Sequence, residues 1–195
     1  GSLTFDGHGG SSAFGAVDGK TPNAYEEAFD IIDTDGTSAS GSPLVINGGG
    51  GDNMFIYNSP DMGGAVLTVA YQNHASAAAE SYTDFAIAFT GMEGMTLGAA
   101  ISNNTIGASN DSDETTMYAT YAVGSVTVGV QASDMDRTTT GTDQESMAYG
   151  ITYAVNDDFS IGYDYHELET ESTTDQDQES TGISASYTMG GMTLA

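Results

Sequence analysis

The sequence predicts an all-β chain, an antiparallel up-and-down transmembrane β-barrel, and three observations lead there. Apolar residues recur at every second position in a series of runs. The connections between those runs alternate between long and short. The residues interleaved with the apolar ones are small and polar, with no lysine among them. A period of two places successive side chains on opposite faces of a strand, and loop lengths that alternate by side are what a meander gives when one end carries tight turns.

Along the chain, Leu3-Thr4-Phe5 reads as a strand filling residues 1–6, and residues 7–51 then break the rhythm as a long Gly-, Ser- and acid-rich loop. Structureless loops of that length are usually functional or disordered. Within it, the stretch Pro22 to Asp33 has the composition of a short helix starting after the proline. Residues 52–195 are predicted to be an antiparallel meander. It opens with a short strand at Met54-Phe55-Ile56-Tyr57 and continues through eight alternating runs that begin near Ala65, Tyr82, Met95, Thr115, Val126, Glu145, Phe159 and Thr181. Met147-Tyr149-Ile151-Tyr153 and Phe159-Ile161-Tyr163-Tyr165 show the pattern most clearly.

Short connections hold the residues that accept positive φ cheaply: Gly91 to Gly94, Gly124-Ser125, Asn156-Asp157-Asp158 and Gly190-Gly191. Polar loops at 74–81, 104–114, 134–144 and 169–180 separate them. The strands come out at about 9–11 residues, long enough to cross a bilayer at a tilt. A stub at Met192 to Ala195 brings the expected total to about eleven strands, an odd number that does not close a single-chain bacterial barrel. The expectation is therefore of further strands outside this sequence.

The two faces differ in kind. One carries Leu, Val, Ile, Met, Ala, Phe and Tyr, with Tyr71, Phe89, Phe159 and Tyr187 near strand ends where an interfacial girdle belongs. The other carries residues such as Thr68, Gln72, Asp84, Thr96, Gln131, Thr152, Asp164, His166 and Ser184. That face is too polar for a dry core and suits the wall of a watery lumen.

Composition narrows the function. With 28 acidic and two basic residues, Lys20 and Arg137, the formal charge is -26. Such a chain repels nucleic-acid phosphates and attracts cations. Absence of cysteine removes disulfides, zinc-thiolate sites and thiol nucleophiles. His8, His74 and His166 stand alone, and no G-x-S-x-G or H-E-x-x-H spacing occurs, so no enzyme is predicted. Glu26-Glu27 and Asp157-Asp158 read as solvated pairs rather than acid/base dyads, and the single run Gly48 to Gly51 reads as a flexible loop end. Asp111, Asp113, Glu114, Asp134, Asp136, Glu169, Glu171, Asp175 and Asp177 gather hard oxygen ligands at one end. No tightly held cofactor is expected, and weak Ca²⁺ or Mg²⁺ binding at these acidic loops is the one metal interaction the sequence suggests.

Gly1-Ser2-Leu3-Thr4-Phe5, the long acidic loop, and the Tyr57-Asn58-Ser59-Pro60 turn before Gly63-Gly64 and an alternating strand resemble the general porins of Gram-negative outer membranes. The resemblance implies a barrel of about sixteen strands, usually trimeric, with the long loop folding inward. Glu26, Glu27, Asp30, Asp33 and Asp35 would then charge the pore constriction, and Asp84, Gln131, Asp164 and His166 would line the pore. The implied role is passive diffusion of small hydrophilic solutes and ions, favouring cations, in a chain embedded in lipid and surface lipopolysaccharide. In the family, basic residues that oppose such acids come largely from early strands, which this sequence does not include. An adhesin or structural barrel is the alternative reading, and a soluble all-β binding module a more distant one.

Overall fold

Alternation along the sequence becomes pairing in space. The computed structural model describes residues 1–8, 10–17, 19–24, 46, 50–51, 53–73, 81–105, 111–138, 142–171, 177–189 and 192–194. Eleven strands form one sheet, and every neighbouring pair is antiparallel. The first pair is β1 (Ser2–Asp6) and β4 (Met54–Asn58), adjacent in the sheet although the long loop separates them in sequence. From there the order follows the chain: β5 (Ala65–Asn73), β6 (Ser81–Met92), β7 (Met95–Thr105), β8 (Ser112–Val123), β9 (Val126–Arg137), β10 (Gln144–Asn156), β11 (Phe159–Thr170), β12 (Gln178–Met189) and β13 (Met192–Leu194). At the neck of the long loop, β2 (Gly10–Ser11) and β3 (Gly50–Gly51) pair separately.

The strands run further than the sequence suggests. β8, β9, β11 and β12 have 12 residues each and β10 has 13. The expected loops at 104–114, 134–144 and 169–180 lose residues at both ends to the sheet. Backbone pairing does not require an apolar side chain, so the ladder continues past the apolar belt into acidic sequence, as in Asp113↔Asp136 and Glu145↔Asp134. Hydropathy marks where the belt ends, and hydrogen bonding marks where the strand ends.

Three of the four short turns form where glycine or Asn/Asp predicted them, and Gly190-Gly191 lies outside the described residues. Gly94 and Gly124 have φ of 72° and 58°, and the Asn156 side chain accepts a hydrogen bond from Asp158 N at 2.9 Å. At the β4–β5 turn, Asp61 Oδ1 accepts from Gly63 N at 2.9 Å and from Gly64 N at 3.0 Å. Gly64 has φ 93°, and a side chain there would collide with the backbone of Gly91 in the neighbouring turn.

One face of the sheet is open and apolar. Ile87 is 46% exposed, Ile151 43% and Ile183 84%, with Val128, Val130, Tyr149, Tyr153, Ile161 and Tyr163 exposed beside them. A patch this continuous needs a nonaqueous or protein neighbour. The opposite face buries its side chains although many are polar: Gln72, Asp84, Ser102, Glu114, Thr116, Gln131, Asp164 and His166 among them. What covers part of that face is the long loop.

Candidate functional site

The start of the loop turns back on itself. Ala16 N donates to Ser12 O at 3.1 Å, Val17 N to Phe14 O at 2.9 Å, and Gly15 N to Ser12 Oγ at 3.0 Å. That tight turn presents Ala13, Phe14 and Val17 to a small apolar cluster with Ile46, Met54, Ala70, Ala86, Ala100, Met135 and Leu168. Alanines on adjacent strands β5, β6 and β7 leave the room that Phe14 takes, and its ring is fully buried.

Polar side chains on the wall then hold the loop by its backbone. Asp84 on β6 is fully buried, and its Oδ2 accepts from Phe14 N at 2.6 Å. Further along, Gln131 on β9 accepts from Lys20 N at 2.9 Å through Oε1. Its own amide donates to Thr116 Oγ1 at 3.1 Å, and Thr116 shares a 2.7 Å hydrogen bond with Ser133, so the Gln131 carbonyl is aimed. Ser184 Oγ on β12 accepts from Ala24 N at 3.0 Å. Residues 12–17 and 19–24 thus lie across the wall from β6 to β12.

The wall is hollowed where the segment crosses it. Gly129 and Gly150 are directly paired on β9 and β10, and Gly162 sits on β11 opposite Thr152 and Ser184. A Cβ on Gly129 would lie 2.5 Å from Pro22 Cδ, one on Gly162 2.8 Å from Ala24 N, and one on Gly150 would strike the Pro22 carbonyl oxygen.

All four wall residues anticipated from parity, Asp84, Gln131, Asp164 and His166, lie on this loop-bearing face and are buried. Asp84 and Gln131 are occupied by the loop backbone. Asp164 stands across from Gly150 and Gly182, and His166 across from Ala148 and Ser180. The five carboxylates Glu26, Glu27, Asp30, Asp33 and Asp35 lie outside the described residues, as does most of the helix expected after Pro22.

Glu114, grouped with the loop acids by sequence, belongs to β8 and is buried on the loop-bearing face, where Ser102 Oγ donates to it at 2.6 Å and Ser112 Oγ at 3.2 Å. Parity counted from Thr116 would have placed it there. The glycine hollow also had a readable sign, since Val128-Gly129-Val130, Tyr149-Gly150-Ile151 and Ile161-Gly162-Tyr163 each put glycine on the polar face between two large apolar residues.

On the outward face at the long-connection end, Asp134 pairs with Glu145, Glu145 with Glu169, and Glu167 with Glu179. Among the described residues, no three His, Asp or Glu side chains are grouped to hold a metal ion.

Residues 2–195 of this sheet and its loop match the family model for Gram-negative porins. The chain belongs to that family. It is an integral protein of the Gram-negative outer membrane, and its apolar face meets lipid. No curated protein matches it. Among solved structures, this porin chain is similar to OmpT, an outer membrane protein of Vibrio cholerae, folded in vitro. That likeness has 15% identity over 96% of this chain and 61% of the other, with a TM-score of 0.62. The loop L8 deletion mutant of OmpT matches at 16% identity over 71% of this chain and 53% of that one, TM-score 0.57. An anion-selective porin from Comamonas acidovorans matches at 13% identity, 73% and 56% coverage, TM-score 0.49. The porin chain thus spans between 53% and 61% of the length of these structures.

Proposed function

We propose that the chain forms most of the wall of a passive diffusion channel for small hydrophilic solutes and ions, without catalysis, and that the channel favours cations. The observation that carries this reading is the loop held by its backbone against the polar face. Side-chain oxygens from β6, β9 and β12 accept from Phe14, Lys20 and Ala24 amides, so the start of the loop lies on the side the sheet would enclose. Glu26, Glu27, Asp30, Asp33 and Asp35 follow Ala24 closely in sequence. On this reading they bring their carboxylates to the narrowest part of the path, where a ring of acids favours cations. Asp164 and His166 line the wall nearby.

The same reading makes the barrel a homotrimer in lipid whose outer end faces lipopolysaccharide. Cross-strand carboxylates such as Asp134 and Glu145 have no basic residue on their face to balance them, and like charges directly opposite are destabilising. Calcium or magnesium shared with lipid phosphates would relieve that repulsion.

Planar-bilayer recording of the complete protein tests the channel. Discrete conductance steps with a reversal potential displaced toward the cation equilibrium potential in a salt gradient are expected. Absence of conductance would end the channel reading, and an anion-directed potential would end the charge assignment alone. Crosslinking in detergent distinguishes a trimer from other assemblies.

A further inference from the structure

Three glycines on the loop-bearing face stand where the loop comes closest to the wall. Gly129 and Gly150 are cross-strand partners, so their missing side chains form one notch two strands wide, and Gly162 on the next strand extends it. Pro22 fills the notch. Its ring lies over Gly129, with Cδ at 2.5 Å and Cγ at 3.1 Å from the Cβ position, while its backbone lies over Gly150. Ala24 follows over Gly162, and the amide contacts to Gln131 and Ser184 hold the segment on either side. Ordinary van der Waals contact begins near 3.4 Å, so one methyl group at Gly129 or Gly150 requires a displacement of about an ångström. Behind the segment is the sheet, fixed by hydrogen bonds on both sides of β9, β10 and β11. The sheet blocks movement into the wall, so the segment gives way toward the other side.

We propose that this glycine notch sets the aperture of the channel: the depth to which Pro22 sinks between β9 and β11 determines how far the loop protrudes into the lumen. The inference rests on the channel reading. Gly129 and Gly150 are then positioning residues for the loop, and they determine size selectivity without touching a solute. The mechanism has an internal asymmetry. At Gly129 the nearest obstacle is the proline ring, a side chain, with the Thr120 methyl at 3.0 Å beside it, whereas at Gly150 it is the Pro22 carbonyl, which every residue has.

The test uses the complete protein in planar bilayers, with G129A, G150A, P22A and the doubles G129A/P22A and G150A/P22A, each checked for heat-modifiable migration as a sign of a folded barrel. G129A and G150A are each expected to lower single-channel conductance by roughly a third and to exclude smaller polyethylene glycols than the parent does. P22A should restore G129A to the level of P22A alone and leave G150A reduced. Unchanged conductance in folded G129A and G150A overturns the proposal, as does an increase, which would mean that the segment had left the lumen. Equal rescue of both by P22A also overturns the asymmetry on which it stands. If G150A does not fold, G129A with and without P22A decides. A parent protein that does not conduct defeats the channel reading itself, a result distinct from a conducting parent with indifferent variants.

Discussion

The two faces of this one sheet reverse the arrangement of a water-soluble protein. On the outward face, large apolar residues such as Ile87, Ile151 and Tyr163 are exposed, while on the other face Asp84, Glu114, Gln131 and His166 are buried. Buried polar groups are tolerable when their hydrogen bonds are made. Many are made within the wall, as in Ser133–Thr116–Gln131, or to the loop backbone, as at Asp84 and Gln131. The comparison teaches that burial and hydrophobicity are separate quantities: one face is apolar because its solvent is lipid, the other is buried in part because a loop lies on it.

The largest expected effect comes from placing the same charge on each face at adjacent positions. Ile151→Lys puts an ammonium in the lipid-facing belt, and a lysine near the bilayer midplane costs about 2–4 kcal/mol. Thr152→Lys puts it on the loop-bearing face, where the effect on stability should be much smaller and the effect on ion selectivity larger. Denaturant titration of both variants refolded in vesicles checks this, and equal destabilisation would break the distinction between the faces.

A smaller effect separates the loop from its wall. Asp84→Ala leaves the buried Phe14 N–H without its acceptor, a loss of about 1–3 kcal/mol. Asp84→Asn keeps an acceptor oxygen and should lose well under half of that. Thermal unfolding gives the energies, and the alanine variant should also show noisier open-channel current as the loop start comes free.

The smallest effect sharpens a second contrast, between the two ends of the strands. The short-turn end carries its acids, Asp61, Glu93, Asp157 and Asp158, within separate turns, whereas the long-connection end stacks Asp134, Glu145 and Glu169 side by side across three strands. Glu145→Gln should therefore stabilise the barrel by about 0.2–1 kcal/mol in chelator-treated buffer. The gain should vanish when millimolar magnesium is present, as calorimetry in the two buffers would show. A gain independent of magnesium would mean that cations do not relieve the repulsion.

Much of the fold was legible because its causes are local. Alternation from Met147 to Tyr153 assigns each side chain to a face without knowledge of any partner strand, and Gly94, Gly124 and Asn156 mark turns by their own backbone preferences. The outer ends of β8 to β12 were not legible, since Asp113, Asp134 and Glu145 are poor strand residues that pair only because the ladder beneath them is already formed. The loop was visible as an interruption, but the identity of its anchors was not. Nothing in a linear pattern connects Asp84 with Phe14, Gln131 with Lys20 or Ser184 with Ala24, separated by 70, 111 and 160 residues.

By itself, the sequence determined the strands, their faces and the surplus of negative charge, because period, turn chemistry and ionisation are properties of residues and their near neighbours. Only the tertiary structure decided which polar residues meet the loop, that Ser102 and Ser112 hold the Glu114 carboxylate and that three glycines align beneath Pro22. Those facts depend on register between strands and on the path of a loop across them, and both are set by contacts between residues far apart in the chain.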